Sequence, residues 1–295
     1  MNKIFTVAGI GEVLWDVFPH RARIGGAPAN FAWHCSQIGA KAYPVSCIGD
    51  DDFGRRMLDE LQVAGVHTNY LSTTADYPTG QAKVTFDPVG KPSYEIVLNS
   101  AWDHLELTTE LQQLASQLDA VCFGSLSQRS EQSRQTIQSF LRAMPPHSLK
   151  IFDVNLRQSF HSKELLEGSL QAANILKLSD EELPVLAKYF ALKGSTSEQL
   201  QQLQAQFELR LLIYTRGEHG SLLVSADAVD DAPCQPTDMV DSVGAGDSFT
   251  AAICMSLLDG MPLDQVNIFA NKVASFVCSQ VGATPELPSQ FKLNQ

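Results

Sequence analysis

Short apolar runs alternate with longer helical ones along most of this chain, and that rhythm restricts its fold more than any other feature. Residues 4–10, 42–48, 120–123, 151–154, 175–178 and 211–215 read as buried strands. Helical stretches follow or separate them at 29–38, 53–64, 132–143, 198–207 and 250–258. Strands that are apolar on both sides need cover on both faces, and repeated strand–helix units supply that cover in a parallel sheet. The expected class is α/β, a doubly wound, mostly parallel sheet with helices on both faces. Ligands of such sheets bind beyond the carboxyl ends of the strands. No internal repeat, low-complexity segment or long linker divides the 295 residues, so 1–295 reads as one domain. Residues 79–99 break the rhythm: two alternating runs flank a turn at Asp87-Pro88-Val89-Gly90-Lys91-Pro92, which predicts a hairpin. A hairpin inserted in an α/β fold is either a lid over a site or an edge ribbon without a role.

Composition removes several function classes. A formal net charge of -12 argues against nucleic acid or an acidic membrane as partner, but leaves room for a local anion pocket. The six cysteines form no CxxC pair and lie mostly in apolar surroundings, which predicts reduced thiols and a cytoplasmic location. The N-terminal run is too short for a signal peptide, and no apolar stretch reaches the roughly 18 residues of a membrane span. There is no GxxxxGK[ST] loop, HExxH pair or GxSxG elbow.

The chemistry concentrates in a few turns. Asp241-Ser242-Val243-Gly244-Ala245-Gly246-Asp247-Ser248-Phe249 is a small-residue turn running straight into an apolar helix. Such a turn lets backbone approach an anion, and the helix start offers unpaired N–H groups. A carboxylate at that spot binds phosphate poorly, so Asp247 is expected to accept a proton from the group that attacks it. Asp16, after the first strand, is suited to accept hydrogen bonds from sugar hydroxyls; the alternative is an aspartate in a surface turn. Gly25-Gly26-Ala27-Pro28-Ala29-Asn30 places two glycines and an amide before a helix, again suited to a hydroxyl-rich ligand or to a plain structural turn. Asp50-Asp51-Asp52 reads better as a helix N-cap than as a metal site. Further on, Asn155 and Arg157, Lys177 with Ser179 and Glu182, and Thr215 with Gly217 and Gly220 each end a strand. They are candidates for phosphate, hydrated Mg²⁺ and nucleotide respectively, and each of the first two alone reads equally as a cap. Asn271, Ser275 and the turn at Gly282 are candidates to close an adenine pocket, with helix packing as the alternative.

In this order, the motifs resemble the ribokinase-like (PfkB) family of carbohydrate kinases over nearly the whole chain. The specific signatures are Gly25-Gly26-Ala27-Pro28-Ala29-Asn30-Phe31-Ala32 and Asp241-Ser242-Val243-Gly244-Ala245-Gly246-Asp247. Gly11-Glu12-Val13-Leu14-Trp15-Asp16, Tyr94-Glu95-Ile96-Val97 and Ala101-Trp102-Asp103 look most like bacterial fructokinases. The resemblance implies a β-sheet lid from segments near 12–24 and 79–103, ATP as donor, Mg²⁺, and transfer to a primary hydroxyl of a small sugar such as fructose. By position it makes Asp247 the base, the N–H groups of Gly244, Ala245 and Gly246 an anion hole, and Asp16, Gly26 and Asn30 the sugar site. Lys177, Thr215, Gly217, Gly220, Asn271 and Ser275 fall to the nucleotide. Glu182 falls where the family organises Mg²⁺ through water, although Ser179 stands at that motif's asparagine. Asp241, Val243 and Gly282 fall where many members hold a monovalent cation, usually K⁺, with Glu286 at the place of a serine that some members add. A homodimer through the exposed edges of the lid is also expected. The rivals are a kinase for another sugar, a sugar acid or a nucleoside (Phe31, Trp33 and Trp102 are the aromatics available for a base), a silent sugar-binding regulator and, more remotely, an oxidoreductase.

Overall fold

The computed structural model describes residues 3–86 and 92–293. Its larger sheet has nine strands. In chain order these are β1 (Thr6–Ile10), β4 (Lys41–Gly49), β5 (Leu71–Thr74), β8 (Ala120–Gly124), β9 (Leu149–Asp153), β10 (Ile175–Ser179), β11 (Leu211–Thr215), β12 (Ser221–Val224) and β13 (Val229–Ala232). A four-stranded second sheet takes the numbers between: β2 (Leu14–Phe18), β3 (Arg21–Gly25), β6 (Gly80–Phe86) and β7 (Pro92–Ile96).

The large sheet runs in the order β13-β12-β11-β10-β9-β8-β1-β4-β5. Every pair from β11 to β5 is parallel, while β11–β12 and β12–β13 are antiparallel. The chain steps from β1 to β4 on one side and later from β1's other side to β8, so the order reverses at β1. That reversal opens a crevice at the carboxyl ends of the strands. Strands β5, β12 and β13 are the departures from the sequence expectation in this sheet. Each has only four residues; β12 reads Ser-Leu-Leu-Val, a very short apolar run, and β13 reads Val-Asp-Asp-Ala with three of four residues not buried.

Period-two alternation sorts the strand residues onto two faces. Ala8, Ile10, Val121, Phe123 and Leu176 face one core, packed with leucines and phenylalanines of α3 (Thr109–Ala115), α4 (Glu131–Ala143), α5 (Lys163–Ala172), α6 (Leu183–Phe190) and α7 (Thr196–Gln206). Val7, Ala120, Cys122, Ile151 and Ile213 face the other, covered by α1 (Ala27–Ile38), α8 (Ala245–Leu258) and α9 (Leu263–Cys278). Helix α1 lies so close to β1 that a Cβ on Gly9 would stand 1.9 Å from the Pro28 carbonyl oxygen. Only glycine permits that approach. Helix α8 is apolar nearly all round because α1 and α9 enclose it.

The second sheet runs β3-β2-β6-β7, with β2–β6 parallel and the outer pairs antiparallel. Trp15, Met57 and Leu61 form a separate cluster that fastens it to α2 (Asp52–Val63), and Trp15 Nε1 donates to the Phe53 carbonyl at 3.0 Å. On its other flank Arg129 meets Asp103 through two N–H donors, at 2.8 and 2.7 Å, and stacks over Trp102. Asp51 caps α2 as expected, accepting from the Gly54 N–H at 2.8 Å, and also holds Thr79 at the entrance to β6. The expected hairpin is therefore half of this sheet, while its turn at residues 87–91 lies outside the described residues. Among the described residues no helix is long and apolar enough to cross a membrane.

Candidate active site

A cleft of about 740 Å³ lies at the carboxyl edge of β1, β9 and β10, between the two sheets. Its small-sheet wall is Leu14, Asp16, Ala82 and Ile96; its floor and far wall include Glu12, Asn30, Arg157, Lys177, Glu182 and Asp247.

The open end of α8 forms one side. Gly244 is its N-cap at φ 79, and a Cβ there would stand 2.5 Å from the Ala283 carbonyl oxygen. Ser248 N–H returns to the Gly244 carbonyl at 2.9 Å and starts the helical ladder. Ahead of it, the N–H groups of Gly244, Gly246 and Asp247 make no hydrogen bond among the described residues, while that of Ala245 turns back to Ser242 O at 3.3 Å. Donors left over at a helix start, with the positive end of the dipole behind them, suit an anion. Of the three N–H groups expected there, Ala245's is partly spent, and Asp247's own N–H joins the set.

Asp247, in the first turn of α8, accepts from Asn30 Nδ2 at 2.7 Å. Asn30 comes from the first turn of α1, 217 residues away in sequence. Its Oδ1 is buried and meets no partner among the described residues, while its Nδ2 is held by Asp247. Burial pushes the Asp247 carboxyl up, opposed by the Asn30 hydrogen bond and by Lys177 and Arg157. Asp16 is pushed up to about 6, first by burial and then by Asp247 and Asp241, against Arg157. Gly25 leaves it room, since a Cβ there would stand 2.7 Å from Asp16 Oδ2. Gly26, the N-cap of α1 at φ 108, lies against the Glu12 carbonyl, where a Cβ would come within 2.5 Å.

Lys177 on β10 meets Asp153 on β9 at 3.0 Å, both nearly inaccessible. Thr250 Oγ1 also reaches Asp153, at 3.4 Å, so the pair is tied to α8. Despite its burial the ammonium is held well above its usual range by Asp153 and Glu182, and stays charged. Glu182 accepts the Leu156 and Ser179 N–H groups at 2.9 and 2.8 Å, which fixes its carboxylate at the cleft wall. Among the described residues no group of three or more His, Cys, Asp or Glu forms a metal cage. One carboxylate beside an anion pocket fits Mg²⁺, which keeps waters and takes substrate phosphates.

The remaining sequence candidates lie elsewhere. Thr215 pairs in register with Ser179 on the adjacent strand but does not line the cleft. Gly217, at φ 52, faces open space, while Gly220 packs against the Ala232 carbonyl. Asn271 is spent on Ser221 Oγ at 2.8 Å and Asn267 O at 2.9 Å, and Ser275 donates to Gln235 O at 3.2 Å. The Asp241 carboxylate accepts from the N–H groups of Val243 and Gly282 and from the Arg23 guanidinium. That donor set does not fit a resident K⁺. Arg23, Glu12 and Asp153 escaped the sequence reading, and only Arg23 carried a signal, the alternation of residues 21–24 that places Arg21 and Arg23 on one strand face.

Comparison with known proteins finds relatives over the whole length of the chain. A putative sugar kinase of Pyrococcus horikoshii is 30% identical over 318 residues, covering 100% of this chain and 98% of its own. The structure of that protein in complex with ATP superposes with a TM-score of 0.78 at 27% identity, over 95% and 94% of the two chains. The fructokinase of Salmonella typhimurium is 27% identical, covering 97% of each chain. The model described as "pfkB family carbohydrate kinase" matches residues 11–290, and the chain belongs to that family of kinases.

Proposed function

We propose that the protein transfers the γ-phosphoryl group of ATP to a primary hydroxyl of a small sugar, fructose, with Asp247 as general base. The observation that carries this reading is the 2.7 Å contact between Asn30 and Asp247 at the open end of α8. It puts an amide suited to a sugar hydroxyl, a carboxylate of raised pKa and the free N–H groups of a helix start in one cleft. Fructose rests on the fructokinase-like motifs and on the Salmonella typhimurium relative.

In this mechanism Asp16, Gly26 and Asn30 hold the sugar against the apolar wall of Leu14, Ala82 and Ile96. The four-stranded sheet acts as a lid of the same domain and excludes water. Asp247 takes the hydroxyl proton as that oxygen attacks phosphorus in line. The N–H groups at Gly244–Asp247 stabilise charge on the phosphoryl oxygens, a preorganised term worth roughly 3 kcal/mol per donor. Lys177, fixed by Asp153, adds a permanent positive charge beside them, and Arg157 a second. Glu182 would hold Mg²⁺ through water, and bound Mg²⁺ neutralises phosphate charge. The adenosine end extends along β11 and α9, past Thr215, Gly217, Gly220, Asn271 and Ser275. Phe31 and Trp102 are buried in the core and Trp33 lies off the cleft, which weakens a nucleoside acceptor. The reading also places the enzyme in the cytoplasm.

The test is ADP release from ATP and Mg²⁺ with fructose, ribose, glucose, 2-keto-3-deoxygluconate and adenosine. Release with fructose alone is expected. Release with another acceptor overturns the sugar, and silence from folded protein overturns the reaction. Strands β3 and β7 are the outer strands of the lid among the described residues, and we propose that they pair with a second copy. Light scattering should then give twice the 32.2 kDa chain mass, and a monomer mass refutes it.

A further inference from the structure

Behind the anion-binding turn sits a charge that the proposed chemistry does not use. Asp241 Oδ2 accepts from Arg23 Nη1 at 3.2 Å and from the Gly282 N–H at 3.1 Å, and Oδ1 accepts from the Val243 N–H at 3.1 Å. Each oxygen therefore faces the positive end of a donor. Gly282, at φ 90, lies over the guanidinium: a Cβ on it would stand 3.4 Å from Arg23 Nη1 and 3.8 Å from Cζ. A bare monovalent cation needs oxygen ligands, and one brought here would meet a fixed guanidinium and two N–H dipoles. A guanidinium needs the opposite, acceptors in its plane, and never loses its charge.

We propose that Arg23 supplies, from the small sheet, the positive charge that a monovalent cation would otherwise supply at Asp241, and that catalysis by this chain is indifferent to K⁺. Asp241 stands two residues before Val243, which leads directly into Gly244. Neutralising its carboxylate does two things. The ion pair at Oδ2 fixes the carboxylate whose Oδ1 holds the Val243 N–H and so the pitch of the turn, and it removes a negative charge from the back of a site that must attract phosphate. The charge is also carried by the small sheet. Arg23 sits on β3, opposite Asp16 in the antiparallel register, so the sugar-facing strand and the phosphate-facing turn are joined by one ion pair.

The inference rests on the kinase reading for its activity arm, so a second arm is independent of it. In the first, ADP release is measured in K⁺ and in tetramethylammonium salts of equal ionic strength. Equal rates are expected for the unaltered protein, and a tenfold or greater K⁺ requirement overturns the proposal. Arg23→Ala should lose roughly tenfold or more in tetramethylammonium, the scale of a misplaced binding turn, and regain it with K⁺ or added guanidinium ion. Recovery with neither cation overturns the proposal, because Arg23 then acts as something other than a charge. Arg23→Lys, which keeps a cation, should lose less than the alanine variant, and an equal loss counts against the idea. In the second arm, thermal melting is followed in the same salts. The Arg23→Ala midpoint should rise in K⁺ over tetramethylammonium and the unaltered protein's should not; the reverse pattern refutes the inference even if no acceptor is ever phosphorylated.

Discussion

Replacing Asp247 by asparagine tests the proposed base with almost no change of shape. In the native site Asn30 Nδ2 donates to Asp247 Oδ2 at 2.7 Å. The substituted amide must turn its oxygen toward that N–H, which leaves its own NH₂ on the other side, facing the acceptor hydroxyl. A donor then stands where a proton acceptor is required. The N–H groups of the helix start, Lys177 and Glu182 are untouched, so the anion-binding machinery survives. The loss is then the general-base term alone, about 10²- to 10⁴-fold in turnover, or roughly 3–5 kcal/mol of transition-state stabilisation. Steady-state ADP release at saturating fructose should show it in kcat, with ATP binding by calorimetry unchanged. The pH profile adds a second readout. Burial raises the Asp247 pKa, so the native rate falls as the pH drops through that value, and the variant should lack this limb. Asn30→Asp should move the limb to higher pH, since it replaces a hydrogen-bond donor with a like charge. Turnover of Asp247→Asn within about tenfold of native would refute the assignment.

Two further outcomes concern stability. Lys177→Met strips the cation from buried Asp153 and should cost about 3–5 kcal/mol, lowering the melting temperature by on the order of 10 °C in calorimetry; an unchanged midpoint refutes the pairing. Glu12 is buried with Oε2 unpartnered, and burial pushes its pKa from 4.5 up to about 7. Folding favours its neutral form, so that stabilisation is complete below about pH 4.5 and is lost as the pH rises through about 7, on the order of 3 kcal/mol. Urea unfolding at mildly acid and mildly alkaline pH should show the decline, and Glu12→Gln should flatten it; a parallel decline in the variant assigns the effect to other groups.

Much of this was legible in the chain because the signals are local. Apolar runs announced β1, β4 and β8 to β11, and small residues announced the turns at Gly26 and Gly244, where backbone must pass within contact of other backbone. What escaped depends on partners far away in sequence. β12 is too short and β13 too short and polar to stand out, and they add on to the edge that β11 offers. Asn271 looks like a ligand residue in a helix, yet a serine 50 residues earlier takes its amide. Arg23 gives no hint of Asp241, 218 residues on, because an ion pair leaves no local pattern.

The two walls of the cleft are built by different rules. Leu14, Ala82 and Ile96 belong to strands of the small sheet and pack with Trp102, while Trp15 anchors the opposite face of that sheet. Asp247 and Asn30 belong to helices packed in the core of the large sheet. On the proposed reading, the side chains that judge an acceptor can be exchanged along one strand face while the atoms that move phosphate stay where they are. A family with this division can broaden its range of sugars by small steps, none of which has to pass through an inactive enzyme.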